Sequence, residues 1–254
     1  MTPYPPQTLQ DHLGELRRRI LVSLATVSLT VLAGFVWSVP MINLLKGMSP
    51  LPVTFIQLTP GEVLMVSVRL ALYAGCALAS PILLYQLLAF VQPGLMGRER
   101  QILRWILVAG SALFALGVWF AGWIVVPSTL MFLLDFGQQV AANQISIAQY
   151  VDLCLMMLVM TGVMFELPMV LFLLSLTGLV TEQQLISQWR QIVVGIAVAS
   201  AILTPSQDPV TMLIVALAMA ALYLLSLIPI MLVARLSKNR HPHAASAWPQ
   251  PPTP

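Results

Sequence analysis

The chain has 254 residues, of which 59% are apolar and only 8% are charged, and its mean hydropathy is +0.90. Soluble domains carry roughly 25% charged residues, so this composition excludes a single soluble domain, a disordered protein and a nucleic-acid-binding protein. The two cysteines, Cys76 and Cys154, have no metal-ligand spacing, and the three histidines lie near the chain ends. We therefore expect neither a metal site nor a cofactor.

Long uncharged blocks divide the chain into candidate membrane spans. A helix needs about 20 apolar residues to cross ~30 Å of hydrocarbon, and a backbone in lipid must satisfy its own hydrogen bonds, which favours helices. The sequence predicts an all-α membrane protein with six transmembrane helices, at about 20–40, 66–90, 104–125, 150–176, 190–204 and 209–233. We expect one transmembrane domain over residues 1–240 and a disordered, proline-rich cytoplasmic tail over 241–254.

The fifth predicted helix is shorter than the others. Its uncharged block, residues 191–207, reaches only ~26 Å at helical rise. Pro205 and Pro209 bracket the connector to the sixth helix. The sequence therefore predicts a short hairpin of helices five and six that thins the bilayer locally.

The positive charges predict the orientation of the spans. Cytoplasmic loops of membrane proteins carry an excess of Lys and Arg, and ten such residues fall on one side of the predicted topology, whereas the opposite loops hold only Lys46. Both termini are therefore expected in the cytoplasm. The ten residues are Arg17, Arg18, Arg19, Arg98, Arg100, Arg104, Arg190, Arg235, Lys238 and Arg240.

Two acidic residues lie among the predicted cytoplasmic arginines. Glu15 precedes the run 17–19, and Glu99 lies between two further arginines. One interpretation is local charge balance, with Glu15 paired to Arg19 at i,i+4, which contributes a few tenths of a kcal/mol. The other is a ligand site, because two carboxylates on one face can each bind a guanidinium group through two charge-assisted hydrogen bonds. Charge alone favours the first interpretation.

A few polar residues and prolines interrupt the spans. Glu166, well inside the fourth span, either hydrogen-bonds between helices or reaches water, or else lines a wet groove. Asp208 before Pro209 is typical of a helix N-cap, which leaves a contact role open. Pro81 and Pro168 each remove a helical hydrogen bond and favour kinks, which would curve the bundle into a concave wall.

Enzyme classes fit the sequence poorly. No predicted span contains a histidine for an intramembrane serine protease, and Asp152 and Asp208 fall at span ends rather than inside the membrane. No glycine-rich phosphate loop is present, so we expect no nucleotide hydrolysis. A proton-coupled small-solute transporter that uses Glu166 remains the alternative, although the sequence shows only weak signs of the two related halves typical of such transporters.

Four local strings occur in a fixed order between residues 12 and 209. They are HLGELRRR from His12, ASPILLYQ from Ala79 with AFVQPGL and RER after it, FELP from Phe165, and LTPSQDP from Leu203. Together they resemble the TatC family, the multispanning subunit of the twin-arginine protein translocase. The predicted six spans with both ends inside match that family as well.

The resemblance implies a function in protein transport across a membrane, which we expect to be a bacterial cytoplasmic (inner) membrane, although the sequence does not separate it from an equivalent plastid one. TatC-like proteins recognise precursors that fold before export, through an Arg-Arg pair in the precursor's signal peptide. They recruit TatA-like and TatB-like single-span partners, and transport draws on the proton motive force. We accordingly expect a homo-oligomer within a hetero-complex in the lipid bilayer, with no enzymatic activity and no nucleic-acid partner.

The resemblance also implies which residues bind the signal peptide. Glu15 and Glu99 would receive the two arginines, since the guanidinium fork suits a carboxylate better than a lysine ammonium does. Arg17 and Phe90 belong to the same motifs. Arg17 would hold Glu15 or a loop in place, and Phe90 would pack the recognition loop.

The remaining family positions lie in or near spans four to six. Glu166 and Asp208 are implied polar positions of the concave face and the outer hairpin. On span six the chain departs from the family, because many relatives have Gln, Pro and Glu where this chain has Met212, Ala218 and Leu224. That departure weakens the expectation of polar partner docking there, whereas hydrophobic helix packing is unaffected.

Overall fold

Long helices make up nearly all of the chain that the computed structural model describes, namely residues 9–91, 99–138, 144–176, 180, 182–204 and 208–238. In chain order the elements are α1 (Leu9–Val36), α2 (Ser38–Lys46), β1 (Thr54–Ile56), α3 (Glu62–Val91), α4 (Glu99–Phe120), a π-helical segment (Ala121–Val125), α5 (Val126–Gln138), β2 (Gln144–Ser146), α6 (Ile147–Met164), α7 (Leu167–Leu176), α8 (Glu182–Ser187), α9 (Trp189–Leu203) and α10 (Pro209–Lys238).

The apolar helices differ in whether they are long enough to cross a membrane. Five helical stretches in the described ranges are long and apolar enough to cross a membrane, and α9 is a further, shorter apolar helix of 15 residues. The short fifth element is therefore as predicted in length, and bilayer thinning by its hairpin stays a prediction. The predicted tail 241–254 lies outside the described residues.

The third helical stretch continues well past residue 125, where the sequence predicted its end. α4 passes through the π-helical segment directly into α5, which extends to Gln138. Pro127 lies at the start of α5, and in an α-helix its ring would clash with a carbonyl one turn earlier. The wider π-helical turn, with hydrogen bonds to the fifth residue back, accommodates this proline without ending the helix.

The fourth stretch is interrupted at one point, between α6 and α7. The amide of Phe165 still bonds the Thr161 carbonyl at 3.0 Å, but the amide of Glu166 reaches only three residues back, to Val163, at 3.1 Å. Pro168 follows two residues later and has no amide hydrogen to continue the ladder. The helix therefore restarts at Leu167, whereas α3 runs through Pro81 as one helix from Glu62 to Val91.

Two short strands and two helix starts form what we call the strand end of the bundle, made of β1, β2 and the first turns of α3 and α6. The strands pair in parallel, with Phe55 opposite Ile145. Tyr150 is buried beneath them, and its hydroxyl donates a 2.7 Å hydrogen bond to the Leu45 carbonyl. This bond joins α6 to the end of α2, so the strand end is tied together through a buried side chain.

Candidate functional site

Helices α1 and α3 pack with their backbones almost in contact. The hydroxyl of Thr30 donates a 2.8 Å hydrogen bond to the Gly75 carbonyl. A Cβ on Gly75 would lie 2.7 Å from the backbone of Val31, and a Cβ on Gly34 would lie 3.1 Å from the Ala71 carbonyl oxygen. Glycine at these two positions is therefore what permits the close approach. Later residues of α1 contact earlier residues of α3, so the two helices are antiparallel.

The antiparallel pairing brings the start of α1 to the finish of α3. We call this region the arginine end, defined by residues 15–19 of α1 and 86–91 of α3. Arg19 lies against Gln86, with Nη1 donating to Gln86 Oε1 at 3.3 Å. Glu15, one turn before Arg19, is therefore level with Phe90, one turn after Gln86.

Arg19 also binds Glu15, so one guanidinium links three side chains. Its Nε donates to Glu15 Oε1 at 3.0 Å, and its Nη2 donates to the same oxygen. The side chains of Arg19 and Glu15 are 21% and 29% exposed, respectively. The predicted i,i+4 pair is thus confirmed, and these hydrogen bonds engage one of the two carboxylate oxygens.

An apolar groove of about 430 Å³ adjoins this pair between α1 and α3. Arg19, Gln86 and Phe90 contribute to its wall, and the other lining residues are mostly aliphatic: Leu16, Ile20, Ser23, Leu24, Val27, Leu83 and Leu87. A carboxylate bound to a residue of the groove wall lies close to the apolar groove, and the two together can bind a ligand that has a cationic group next to a hydrophobic stretch.

Arg17 does not hold Glu15 in the structure; Arg19 does. Residues two apart on a helix point to different sides, whereas residues four apart share a face. Arg17 is accordingly exposed, while Arg19 is partly buried against Glu15. Among the described side chains Arg19 is thus the partner of Glu15, and a role for Arg17 stays a prediction. Its other expected role, holding a loop, concerns residues 92–98, which lie outside the described ranges.

Glu99 is the first residue of α4, and its side chain lies outside the description, so the structure gives no separation between its carboxylate and that of Glu15. The chain between Val91 and Glu99 can span at most about 28 Å, whereas the 30-residue α3 is about 45 Å long. Glu99 is therefore too close to the last residue of α3 to lie at the opposite end of that helix.

Glu166 is half-buried and lies at the break between α6 and α7. Both of its carboxylate oxygens are buried, and within the described ranges neither has a hydrogen-bond partner. A Cβ on Gly110 of α4 would lie 3.1 Å from Oε2. The neighbouring Ser111 hydroxyl is also buried without a partner among the described residues. The structure thus shows no interhelical hydrogen bond for this carboxyl group.

Asp208 is a helix cap, as its sequence context predicted. It is 3% exposed, and its Oδ1 accepts a 2.7 Å hydrogen bond from the Thr211 amide in the first turn of α10. The Thr211 hydroxyl shares a 2.5 Å hydrogen bond with the Thr129 hydroxyl, which joins α10 to α5. The family position Leu224, further along α10, is an apolar side chain with 63% exposure.

Sequence reasoning missed the linking role of Gln86 and the second bond of Arg19. Gln86 ends the motif ASPILLYQ, but nothing in the sequence indicates that it contacts Arg19, which is 67 positions away. A glycine in each of two antiparallel helices was the available sign of close packing. Within the described ranges, no three His, Cys, Asp or Glu side chains group as a metal site would require.

Comparison with known proteins agrees with the fold and the motifs. A sequence profile described as Sec-independent protein translocase protein (TatC) matches residues 11–217. The Sec-independent protein translocase protein TatC of Synechocystis sp. is 39% identical over 216 residues, with 85% of each chain covered. The chloroplastic TATC of Oryza sativa is 40% identical over 84% of this chain but only 60% of the relative, and that of Arabidopsis thaliana is 39% identical over 85% and 64%. The chain thus spans less than two thirds of these plant relatives.

A solved structure shares the same architecture. The crystal structure of the twin arginine translocase receptor TatC in DDM superposes with a TM-score of 0.76 at 32% identity. The superposition covers 86% of this chain and 99% of that chain. A second crystal structure of the same receptor gives a TM-score of 0.75, also at 32% identity.

Proposed function

The chain belongs to the TatC family of Sec-independent protein translocase proteins, and on this premise we propose that it binds twin-arginine signal peptides of folded precursors. The signal's paired guanidinium groups bind acidic side chains at the arginine end, and the site organises translocation. The protein acts as a receptor and translocase core and catalyses no covalent chemistry. The relatives are translocase proteins, so small-solute transport through Glu166 gains no support from them.

The observation that carries this proposal is the position of Glu15. Its carboxylate binds Arg19, a side chain in the wall of the apolar groove between α1 and α3, and Glu15 is level with Phe90. A signal peptide has arginines followed by an apolar stretch, and these two chemistries match a carboxylate beside an aliphatic wall. Glu99 supplies the second carboxylate, and Arg17 and Phe90 shape the loop around it.

The membrane arrangement follows from the charges. In the proposed topology α9 is the fifth of six spans and α10 the sixth, and the excess of Lys and Arg places both termini in the cytoplasm. The arginine end then faces the cytoplasm and the strand end faces the opposite side. Kinks at Pro81 and Pro168 curve the bundle into a concave wall, with Glu166 as a polar position on it.

The protein works as part of a complex in the bacterial cytoplasmic membrane. Its partners are TatA-like and TatB-like single-span proteins, further copies of this chain, and the lipid bilayer, and transport draws on the proton motive force. Asp208 lies in the outer hairpin of α9 and α10. Because Leu224 is apolar and exposed, single-span partners pack on α10 through hydrophobic contacts rather than polar ones.

Site-specific crosslinking of a twin-arginine signal peptide tests the recognition role. Native membranes containing the wild type, Glu15→Ala, Glu99→Ala and the double variant are compared at equal protein level. We expect each single variant to lower the crosslink yield and the double variant to abolish it. Asp135→Ala removes an exposed carboxylate on α5 and serves as the matched control. Undiminished crosslinking in the double variant would refute the recognition role.

A further inference from the structure

The charge balance at the start of α1 opposes the ligand that Glu15 is proposed to bind. Two acids, Asp11 and Glu15, precede Arg17, Arg18 and Arg19, and only Glu15 lies within four residues of all three arginines. The acid is not free, because two nitrogens of Arg19 already bind its Oε1. A cationic signal peptide therefore encounters a carboxylate whose charge is already neutralised by the guanidinium of Arg19.

We propose that Arg19 is an internal competitor, which occupies Glu15 and must be displaced before a signal arginine binds. The inference rests on the proposed function of Glu15 and assigns a role to Arg19 that the recognition motif does not specify. A two-pronged bond to a guanidinium requires both carboxylate oxygens. Arg19 holds Oε1, so its departure is a condition for that bond.

Gln86 gives the displaced side chain a second acceptor. Nη1 of Arg19 donates to Gln86 Oε1 at 3.3 Å, from the side of the guanidinium that points to α3. Arg19 is only 21% exposed and lines the groove. On displacement it keeps the Gln86 bond and the groove wall while it releases Glu15. This lowers the cost of breaking the internal pair, since a partly buried guanidinium without a partner is unfavourable.

The competition sets an affinity threshold. Displacing Arg19 costs the same free energy for every ligand that takes its place on Glu15. It therefore lowers the affinity of all such ligands by the same factor. Arginine-bearing signals still bind, because the planar fork matches the carboxylate. Lysine-bearing signals, which bind more weakly, reach a lower occupancy at the same concentration. The ratio of the two affinities is unchanged.

The test measures peptide affinity with the full-length protein in lipid nanodiscs. The probes are two fluorescent synthetic peptides with the same apolar stretch, one bearing Arg-Arg and the other Lys-Lys. The variants are Arg19→Gln and Arg19→Lys, and Arg18→Gln is the control because it removes the same charge from an exposed neighbour. Gln86→Leu is measured alone and combined with Arg19→Gln.

Arg19→Gln should tighten the binding of both peptides by the same factor, about two- to fivefold beyond the effect of Arg18→Gln, because a partly exposed ion pair is weak. Arg19→Lys should fall between Arg19→Gln and the wild type. Gln86→Leu should weaken binding about twofold with Arg19 present and leave it unchanged with Arg19→Gln.

Weaker binding in Arg19→Gln, or a gain no larger than that of Arg18→Gln, would overturn the inference while leaving the proposed function intact. An equal effect of Gln86→Leu in both backgrounds would contradict the role of Gln86. Loss of Glu15-dependent binding in the wild type itself would overturn the proposed function, and this inference with it.

Discussion

The carboxylate of Glu62 and the hydroxyl of Ser146 join the first turns of two helices at the strand end. Glu62 accepts hydrogen bonds from the Ser146 hydroxyl, from the Ala148 amide at 3.1 Å and from the Leu58 amide at 2.6 Å. Ser146 is the N-cap of α6, where its Oγ accepts a bond from the Ala148 amide at 3.2 Å. Glu62, the first residue of α3, therefore also caps α6.

Removing this junction should destabilise the fold. We expect Glu62→Ala to lower the free energy of unfolding more than Ser146→Ala does, because it removes the charged acceptor shared by the buried Ser146 hydroxyl and the Leu58 and Ala148 amides. Ser146→Ala should cost about 1 kcal/mol as a lost cap, and the double variant should cost less than the two together because they share one network. Unfolding by SDS titration in mixed micelles measures this, with the exposed Gln149→Ala as the control. Strict additivity would show that the two residues act independently.

Gly75 should tolerate no larger residue. A Cβ there would meet the Val31 backbone at 2.7 Å, so Gly75→Ala must push α1 away from α3 and should cost about 1–3 kcal/mol. Gly195→Ala is the matched control, because a Cβ at Gly195 meets nothing within 4 Å. SDS unfolding gives the energies, and spin labels on α1 and α3 report the helix separation. An unchanged separation in Gly75→Ala would contradict the packing argument.

Asp208 should contribute to stability as the cap of α10. Asp208→Ala removes the acceptor of the Thr211 amide and should cost about 1 kcal/mol, whereas Asp208→Asn keeps a cap oxygen and should cost only a few tenths. Amide hydrogen exchange in the first turn of α10 should rise in the alanine variant. If the two substitutions cost the same, the capping bond is not what Asp208 contributes.

The buried carboxyl group of Glu166 should destabilise the folded state. Burial of polar atoms without hydrogen bonds is unfavourable, and neither oxygen of Glu166 has a partner in the described ranges. Glu166→Leu should therefore raise the free energy of unfolding by about 1–2 kcal/mol. Ser111→Ala, which removes another unpartnered buried oxygen, should be neutral or slightly stabilising. A clear loss of stability in Glu166→Leu would reveal a hydrogen bond to this carboxyl group.

The proposed orientation can be tested with cysteine labels. In a background without Cys76 and Cys154, Lys46→Cys should react with a membrane-impermeant maleimide added to intact cells. Lys238→Cys should react only after the membrane is permeabilised. Both sites reacting before permeabilisation would contradict an arginine end that faces the cytoplasm.

The sequence predicted the helical class and the order of the spans, because apolar length and the scarcity of charge are local properties of the chain. It also predicted the Asp208 cap and the Glu15–Arg19 pair, which depend on spacings of three or four residues. It did not predict that the third stretch continues through a π-helical turn. That outcome depends on how one proline is accommodated within a continuous helix.

Tertiary structure decided which polar groups meet across the fold. The links from Arg19 to Gln86 and from Glu62 to Ser146 join residues 67 and 84 positions apart. Such contacts depend on how closely helices approach and in which register, and these are set by the summed packing of many side chains, as Gly34 and Gly75 show for α1 and α3. Composition alone indicated a membrane protein. Only the packing of α1 against α3 placed Gln86 where it accepts a hydrogen bond from Arg19, the partner of Glu15.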